Sequence, residues 1–516
     1  MNKPLIIGIL LTGMLAVSIL VGYSQNWFTQ PNNSPSTTAT SQPQTTNHPE
    51  TTNQPEPTNQ PAATPTAPTT TTAPTTPVTP TQPPASTQSP ISTINMTLEV
   101  YGNANMDDAV DQNDITYTLN IINGIAATTR FADANNDGKI DQADVDQINH
   151  IIAGTARYIL LLDGNGQLIN VSLPKNRIVV EYIQNAELIR ILGLESKVVG
   201  VDYCVNMLKS LYFPEYASQI VSVGQMYTPD YEAVLNLAPD ILLTFSSATS
   251  EKASKLPGVD VVFLGLYYPN VTNPEDSRFL QGVLKAGYIF NKVTEARNYA
   301  NWLLNLTKTI SSRTSVLTEK PRVFMTNYPY DASTTVTAYA TIDTLGQVCI
   351  LAGGGNIASV LSGYPNASSF KVDSEWIIQQ DPEYIFLHTV RYTFSGVMRA
   401  DPAQGLDVDD PTSIRNCLNT YLARPEFAGV SAFKNGKVYI IAGDFRNNAM
   451  GGVLGAVYLA KILHPTLFVD LNPEAIHQEY ITRFLRLNYN LNQHGVFLYP
   501  PLNINSNLVG IPDAYA

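Results

Sequence analysis

Basic residues are scarce in this 516-residue chain. Lys and Arg number 30 against 43 Asp and Glu, a formal charge of −13. A surface of that sign repels phosphate backbones, so nucleic acid is excluded as a partner. Cysteine is scarcer still: Cys204, Cys349 and Cys417 make one bridge at most and no disulfide framework. Six histidines are present, and His388, His464, His477 and His494 form no ligand-spaced cluster, which argues against capture of a bare transition metal. There is no G-x-S-x-G, no H-E-x-x-H and no Walker loop. The run Gly353-Gly354-Gly355-Asn356 lacks the Lys and Ser/Thr that a phosphate loop needs. What is present is 44% apolar residues, enough for a large core and too many for a wholly disordered chain. Proline (35) outnumbers Lys plus Arg (30), so part of the chain is not globular.

That part is N-terminal. Asn2-Lys3 precede an apolar run from Pro4 to about Tyr23, long enough to cross a bilayer as a helix. Residues 1–28 read as a signal peptide or a transmembrane anchor, and no cysteine follows to carry a lipid. Residues 29–94 are rich in Thr, Pro, Gln, Ser and Asn and nearly devoid of aliphatics. Such a stretch buries too little to offset chain entropy and serves as an extended stalk. The remainder is expected outside the cytoplasm, anchored or secreted at the extracellular face of the cell membrane.

A duplicated loop follows. Asp133-Ala-Asn135-Asn-Asp137-Gly138-Lys139-Ile140-Asp141-Gln-Ala-Asp144 places side-chain oxygens at loop positions 1, 3, 5, 9 and 12, with glycine at the sharp turn of position 6 and the Lys139 carbonyl at position 7. This is EF-hand spacing for Ca2+, which takes six to eight oxygens. Asn103, Asn105, Asp107, Asp111 and Asp114 repeat it, with Asn at position 1 and Asp108 in place of the glycine. Each loop leads into an apolar helical segment closed by a glycine, Gly124 or Gly154. Position 12 is Asp rather than Glu in both copies. The pair resembles a dockerin, assigned to residues 95–157 as a small all-α module. The resemblance implies structural calcium and a cohesin-domain partner.

From Tyr158 onward, apolar strands alternate with helices. Tyr158 to Ser172 reads as a hairpin around Asp163-Gly-Asn-Gly, followed by Asn176-Arg-Ile-Val-Val180, Val198-Val-Gly-Val-Asp202 and Ala238-Pro-Asp-Ile-Leu-Leu-Thr244 as strand segments. The span Pro274 to Leu317 reads as one helix of about 30 residues, about 45 Å long. Afterwards the alternation resumes with Pro321-Arg-Val-Phe-Met325, the loop and strand Asp381-Pro-Glu-Tyr-Ile-Phe-Leu387, and Gly436-Lys-Val-Tyr-Ile-Ile441. Two phrases recur between the halves: Glu232-Ala-Val-Leu-Asn-Leu-Ala-Pro-Asp-Ile-Leu-Leu and Glu375-Trp-Ile-Ile-Gln-Gln-Asp-Pro-Glu-Tyr-Ile-Phe. Alternation of this kind means a parallel sheet covered on both faces.

With Arg177-Ile-Val-Val, Ala186-Glu-Leu-Ile-Arg-Ile-Leu-Gly193 and Phe433-Lys-Asn-Gly-Lys-Val-Tyr-Ile, this order resembles the iron-complex and cobalamin substrate-binding proteins of ABC importers. The resemblance covers residues 158–490, with 491–516 left as a C-terminal tail. It implies an α/β, bilobed class III periplasmic-binding-protein fold, two lobes joined by one long helix. It implies no catalysis, and a metal chelate (an iron-siderophore complex or a corrinoid such as cobalamin) held between the lobes. Glu232 and Glu375 match the acids that dock an ABC permease, although an acid there also suits a helix dipole. Candidate cleft residues at strand ends are Tyr203, Tyr227, Phe245, Tyr267, Tyr268, Tyr328, Tyr330, Tyr339, His388, Arg391, Tyr392 and Arg446. Aromatic faces suit a corrin or an aromatic chelator, and arginine suits an anionic one. The rival readings are a dockerin-bearing polysaccharide-processing enzyme and a structural surface protein.

Overall fold

The computed structural model describes residues 94–267, 269–330, 334–390, 401–447, 451–504 and 506–515. The apolar N-terminal run, the stalk up to residue 93, and the cleft candidates Tyr268, Arg391 and Tyr392 lie outside the described residues. Among the described residues, no helix is long and apolar enough to cross a membrane.

The two loops lead into helices α1 (Gln112–Ile122) and α2 (Gln142–Ile152). Asp111 and Asp141 cap them, and Asp114 and Asp144 reach back from the third helical position to complete two capping boxes. Both helices end in the same left-handed glycine turn. Gly124 (φ +69°) donates to the Ile121 carbonyl and Ile125 to Asn120; Gly154 (φ +66°) donates to Ile151 and Thr155 to His150.

Strands β1 (Tyr158–Leu162) and β2 (Leu168–Ser172) form the expected antiparallel hairpin. A parallel five-stranded sheet follows: β3 (Ile178–Val180), β4 (Val198–Val201), β5 (Val221–Ser222), β6 (Ile241–Thr244) and β7 (Asp260–Phe263), in the order β5-β4-β3-β6-β7. Helices α3 (Ile183–Leu192), α4 (Tyr231–Asn236) and α5 (Thr249–Lys255) make the crossovers. β3 and β6 are buried at every residue, as strands covered on both faces must be.

The long helix expected over Pro274–Leu317 is two helices, α6 (Arg278–Ile289) and α7 (Val293–Thr314). The break has a local cause. Asn291 takes a left-handed conformation (φ +53°) and donates to Tyr288, while Lys292 donates to Gly287. Asparagine is the residue other than glycine most suited to that stop. α7, 22 residues and about 33 Å long, joins the lobes. Its inner face includes Ala296, Ala300, Leu303, Thr307, Ile310 and Thr314, spaced by threes and fours, with Tyr299 beside them. Each large apolar side chain buried there contributes roughly 1.5–3 kcal/mol.

The second lobe holds β8 (Arg322–Asn327), β9 (Thr335–Tyr339), β10 (Ser369–Asp373), β11 (Tyr384–His388), β12 (Val438–Ile441) and β13 (Leu498–Tyr499), in the order β10-β9-β8-β11-β12-β13. β8, β11 and β12 run parallel. Helices α8 (Thr344–Leu351), α9 (Ser374–Gln380), α10 (Thr412–Leu422), α11 (Gly451–Leu463) and α12 (Pro473–Glu479) accompany them. Residues 491–516, expected as a tail, pack into this lobe: β13 pairs with β12, and Leu491, Val496, Phe497, Leu498, Val509 and Ile511 are buried. All three cysteines are free thiols.

The loop-helix pair does not stand apart from the lobes. Ile148, Ile151, Val110 and Val145 share one apolar core with Ile159, Leu161, Tyr288 and Phe290. Polar ties reinforce it. Arg297 of α7 pairs with Asp108 at 2.7 Å and donates to the Asp108 carbonyl at 2.9 Å. The Val110 amide donates to the Tyr288 hydroxyl at 2.7 Å. Lys285 of α6 pairs with Glu99 at 2.7 Å, and Gln281 bonds the backbone of Thr97 and Glu99.

Candidate functional site: the interlobe cleft, its rim and the paired loops

Parallel strands deliver their carboxyl ends to one edge of each sheet, and ligands of open α/β folds bind there. In the first lobe, β3 leads directly into Glu181-Tyr182 and β6 into Phe245, and Tyr267 follows β7. Their rings form one wall: Tyr182, Tyr227 and Tyr267 lie 4.5, 5.7 and 5.2 Å from Phe245. A buried network fixes it. Lys252 of α5 contacts both carboxylate oxygens of Glu181 at 2.6 Å, and Glu181 also accepts from the Thr244 hydroxyl at 2.7 Å and the Phe245 amide at 3.0 Å. Two charges are buried at a cost, and their pairing with satisfied hydrogen bonds offsets it. The result locks the ends of β3 and β6, and Phe245 between them.

The second wall draws on strands of both directions. His388 ends the parallel strand β11, Tyr339 lies on β9, which runs antiparallel to β8, and Arg446 follows β12. The Tyr339 ring meets His388 edge-on at 6.1 Å and carries the Arg446 guanidinium at 5.3 Å. Asp343, the N-cap of α8, pairs with Arg446 at 2.6 Å. Burial opposes the charge of Arg446, and Asp343 more than restores it, so the group stays protonated. Burial first, and Arg446 second, push His388 well below the usual imidazole range. The two walls face each other closely enough for Arg446 to feel Tyr182 and Tyr267.

Of the sequence candidates, Tyr227, Phe245 and Tyr267 come together in the first wall, and Tyr339, His388 and Arg446 in the second. Tyr330 rings with Tyr328 at 5.4 Å, and the Val390 amide donates to its hydroxyl at 2.6 Å. Tyr328 packs into the second lobe on the Cys417 side. Tyr203 stands at the end of β4 in no ring contact with the described wall residues. Sequence reasoning missed Tyr182, Asp343 and the Glu181–Lys252 pair. Tyr182 was findable, as the aromatic just past a strand. Its backbone (φ +70°, ψ 158°) is strained for a non-glycine residue, and such strain concentrates at functional sites.

At the rim, Glu232 and Glu375 are both exposed. In each β-α-β crossover the helix runs back against the strands, so its first turn lies at the strands' carboxyl edge. Both glutamates occupy that turn, in α4 and α9.

The paired loops share a set of bonds. Asn105 and Asn135 amides donate to Asp114 and Asp144; Asp107 and Asp137 amides to Asn103 and Asp133; Asp111 and Asp141 amides to Asp114 and Asp144. At position 6 they differ. Gly138 is left-handed (φ +89°) and donates to Asp133, whereas Asp108 turns away to Arg297. At position 1, the Asn103 amide nitrogen donates to the Leu98 and Asp107 carbonyls, a role a carboxylate cannot take. Burial pushes the Asp114 carboxyl up to about 7 against its two amide bonds, with Asp107 and Asp111 adding to the rise. Among the described residues no three His, Cys, Asp or Glu side chains alone could hold a metal. A calcium shell here must therefore draw on asparagine and backbone oxygens, which this loop type supplies. Both loops carry Asp at position 12; the second keeps Asp at position 1 and glycine at position 6, where the first has Asn103 and Asp108.

Residues 178–444 match the family model described as periplasmic binding protein. The chain belongs to that family, whose members are binding proteins that work outside the cytoplasm rather than enzymes. Among solved structures, the TroA-like periplasmic binding protein FepB from Veillonella parvula is 16% identical and aligns over 66% of this chain and 98% of its own, with TM-score 0.52. The molybdate periplasmic binding protein MolA of Haemophilus influenzae, bound to molybdate, is 17% identical over 64% and 99% of the two chains, with TM-score 0.49. A periplasmic solute binding protein from Veillonella parvula is 18% identical over 65% and 96%, also at 0.49. No curated protein matches the chain.

Proposed function

We propose that this chain is an extracytoplasmic receptor that binds a metal chelate, an iron complex or a corrinoid, between its lobes and hands it to an ABC permease. The observation that carries the reading is the ring-lined first wall facing a second wall in which Tyr339 carries Arg446: aromatic surface beside a fixed guanidinium. Aromatic faces favour a planar or aromatic chelator, and a guanidinium favours an anionic one. Glu232 and Glu375 would meet basic residues of the permease. Calcium would fill the paired loops as a structural ion. Their dockerin-like spacing would give the receptor a cohesin-domain partner, and the N-terminal apolar run would tether it to the membrane.

The test is a titration of the purified extracytoplasmic part with cobalamin, hemin and ferric siderophores, followed by Tyr/Trp fluorescence. Saturable binding without turnover is expected. Indifference to all three classes would overturn the reading.

A further inference from the structure

We propose that the first loop is not a calcium site but a metal-independent clamp, closed from inside by Asn103 and from outside by Arg297, so that the module binds one calcium ion at most, at the second loop. The proposal rests on the calcium reading above and narrows it from two ions to one.

The two loops share one backbone shape. In each, the amides at positions 3 and 9 donate to the Asp at position 12, and the amide at position 5 donates to the side chain at position 1. They part at the position-1 side chain. Asn103 is fully buried and uses both its ends. Its Oδ1 accepts from the Asp107 amide at 3.1 Å, and its Nδ2 donates to the Leu98 carbonyl at 2.8 Å and the Asp107 carbonyl at 2.6 Å. An amide nitrogen is a donor and offers a cation nothing. Asp133 has a second oxygen in place of that nitrogen, and it accepts from the Gly138 amide at 2.9 Å.

Charge points the same way. Calcium affinity in such loops follows the number of charged ligands. The second loop has carboxylates at positions 1, 5, 9 and 12 (Asp133, Asp137, Asp141, Asp144), and the first only at 5, 9 and 12 (Asp107, Asp111, Asp114). The remaining acid of the first loop, Asp108, is turned to Arg297 at 2.7 Å, which sets a guanidinium beside the loop.

Protein closes the first loop. Arg297 also donates to the Asp108 carbonyl, the Val110 amide donates to the Tyr288 hydroxyl, and the Thr97 hydroxyl donates to the Met106 carbonyl at 2.8 Å. Asn103, Ala104, Asp108, Val110 and Asp114 are all buried. The second loop lacks such cover: residues 136–139 and Asp141 are exposed. Among the described residues, Asp133, Asp137 and Asp141 accept only from amides of their own loop and its helix. Carboxylates gathered without a paired cation repel one another, so this loop needs an ion to stay closed.

The experiment strips the full chain of calcium and titrates it back, counting ions by native mass spectrometry and reading both loops by hydrogen exchange. One ion per chain is expected, and Asp137→Ala should remove it. On chelation, amides of residues 133–144 should exchange at least about 10-fold faster, while those of 103–114 hold their protection. Arg297→Gln should speed exchange across 103–114 in calcium and chelator alike. Tyr288→Phe, which keeps the ring in the core, should do the same more mildly. Two ions of similar affinity, protection lost in both loops on chelation, or a first loop indifferent to both variants would overturn the proposal. No bound ion, with 103–114 still protected, would overturn calcium at the second loop and leave the clamp standing.

Discussion

Glu232 and Glu375 hold the same station in the two lobes. Each is the second residue of a helix capped by an aspartate, Asp230 or Asp373, whose carboxylate accepts the amide two residues further on than the helix start, Ala233 or Trp376. Each helix then feeds a parallel strand beside the lobe's first one, β6 beside β3 and β11 beside β8. The caps account for helix stability without either glutamate, which leaves both side chains free to face a partner. Reversing both charges, Glu232→Arg with Glu375→Arg, is expected to abolish chelate uptake in cells while leaving the affinity of the isolated receptor unchanged. Normal uptake by the double variant would sink the docking role.

Arg297 tests how tightly the loop-helix pair is bound to the rest. Arg297→Ala leaves the buried Asp108 carboxylate without its cation. A loss of about 3 kcal/mol in urea unfolding is expected, because a stranded buried charge costs more than the pair contributes. The double variant with Asp108→Ala should lose less than Arg297→Ala alone. A double variant that is worse than the single would contradict this account.

Calcium should raise the melting temperature by mass action, about 2.7 kcal/mol at 100 times the dissociation constant. Asp137→Ala should remove most of that gain. Asn103→Asp should bring no tighter binding, since the Leu98 and Asp107 carbonyls would face a carboxylate instead of an amide. Terbium luminescence with each variant distinguishes the loops.

Asp202 sets a pH dependence. It is fully buried, caps Val205, and has one oxygen without a partner; burial pushes it up to about 7. The unfolded value is about 4. A raised acid contributes stability that is fully present below the unfolded value and is lost as pH rises through the folded one. Stability should therefore fall between about pH 4 and pH 7. Asp202→Asn keeps the cap and should make that fall shallower, with Asp114 contributing the remainder, read as denaturant midpoints across the range. An unchanged slope would show that another group governs it.

The succession of strands and helices, the hairpin and the paired loops were legible because each rests on local pattern: apolar runs, Asx spacing and glycine stops. The helix break was legible in principle. Asn291 marks it, but amphipathic spacing continues on both sides and hides it. The cleft was half legible. Strand ends name candidates, but whether a tyrosine meets Phe245 or turns into a core, as Tyr328 does, is decided by packing. Asp343 was invisible because its importance lies 103 residues away in Arg446. The position-6 departure at Asp108 looked like a weakened calcium loop; its reason is Arg297, 189 residues on. The 491–516 stretch looked like a tail because its strands are two or three residues long.

The amide of Ile94 donates to the Asp108 carboxylate at 3.0 Å, and that carboxylate is held by Arg297. A pull arriving along the chain at Ile94 is shared between this ion pair on α7 and the ties from α6, Lys285 to Glu99 and Gln281 to the backbone of Thr97 and Glu99. Tension at Ile94 is therefore met by the helix that joins the lobes and by its neighbour together.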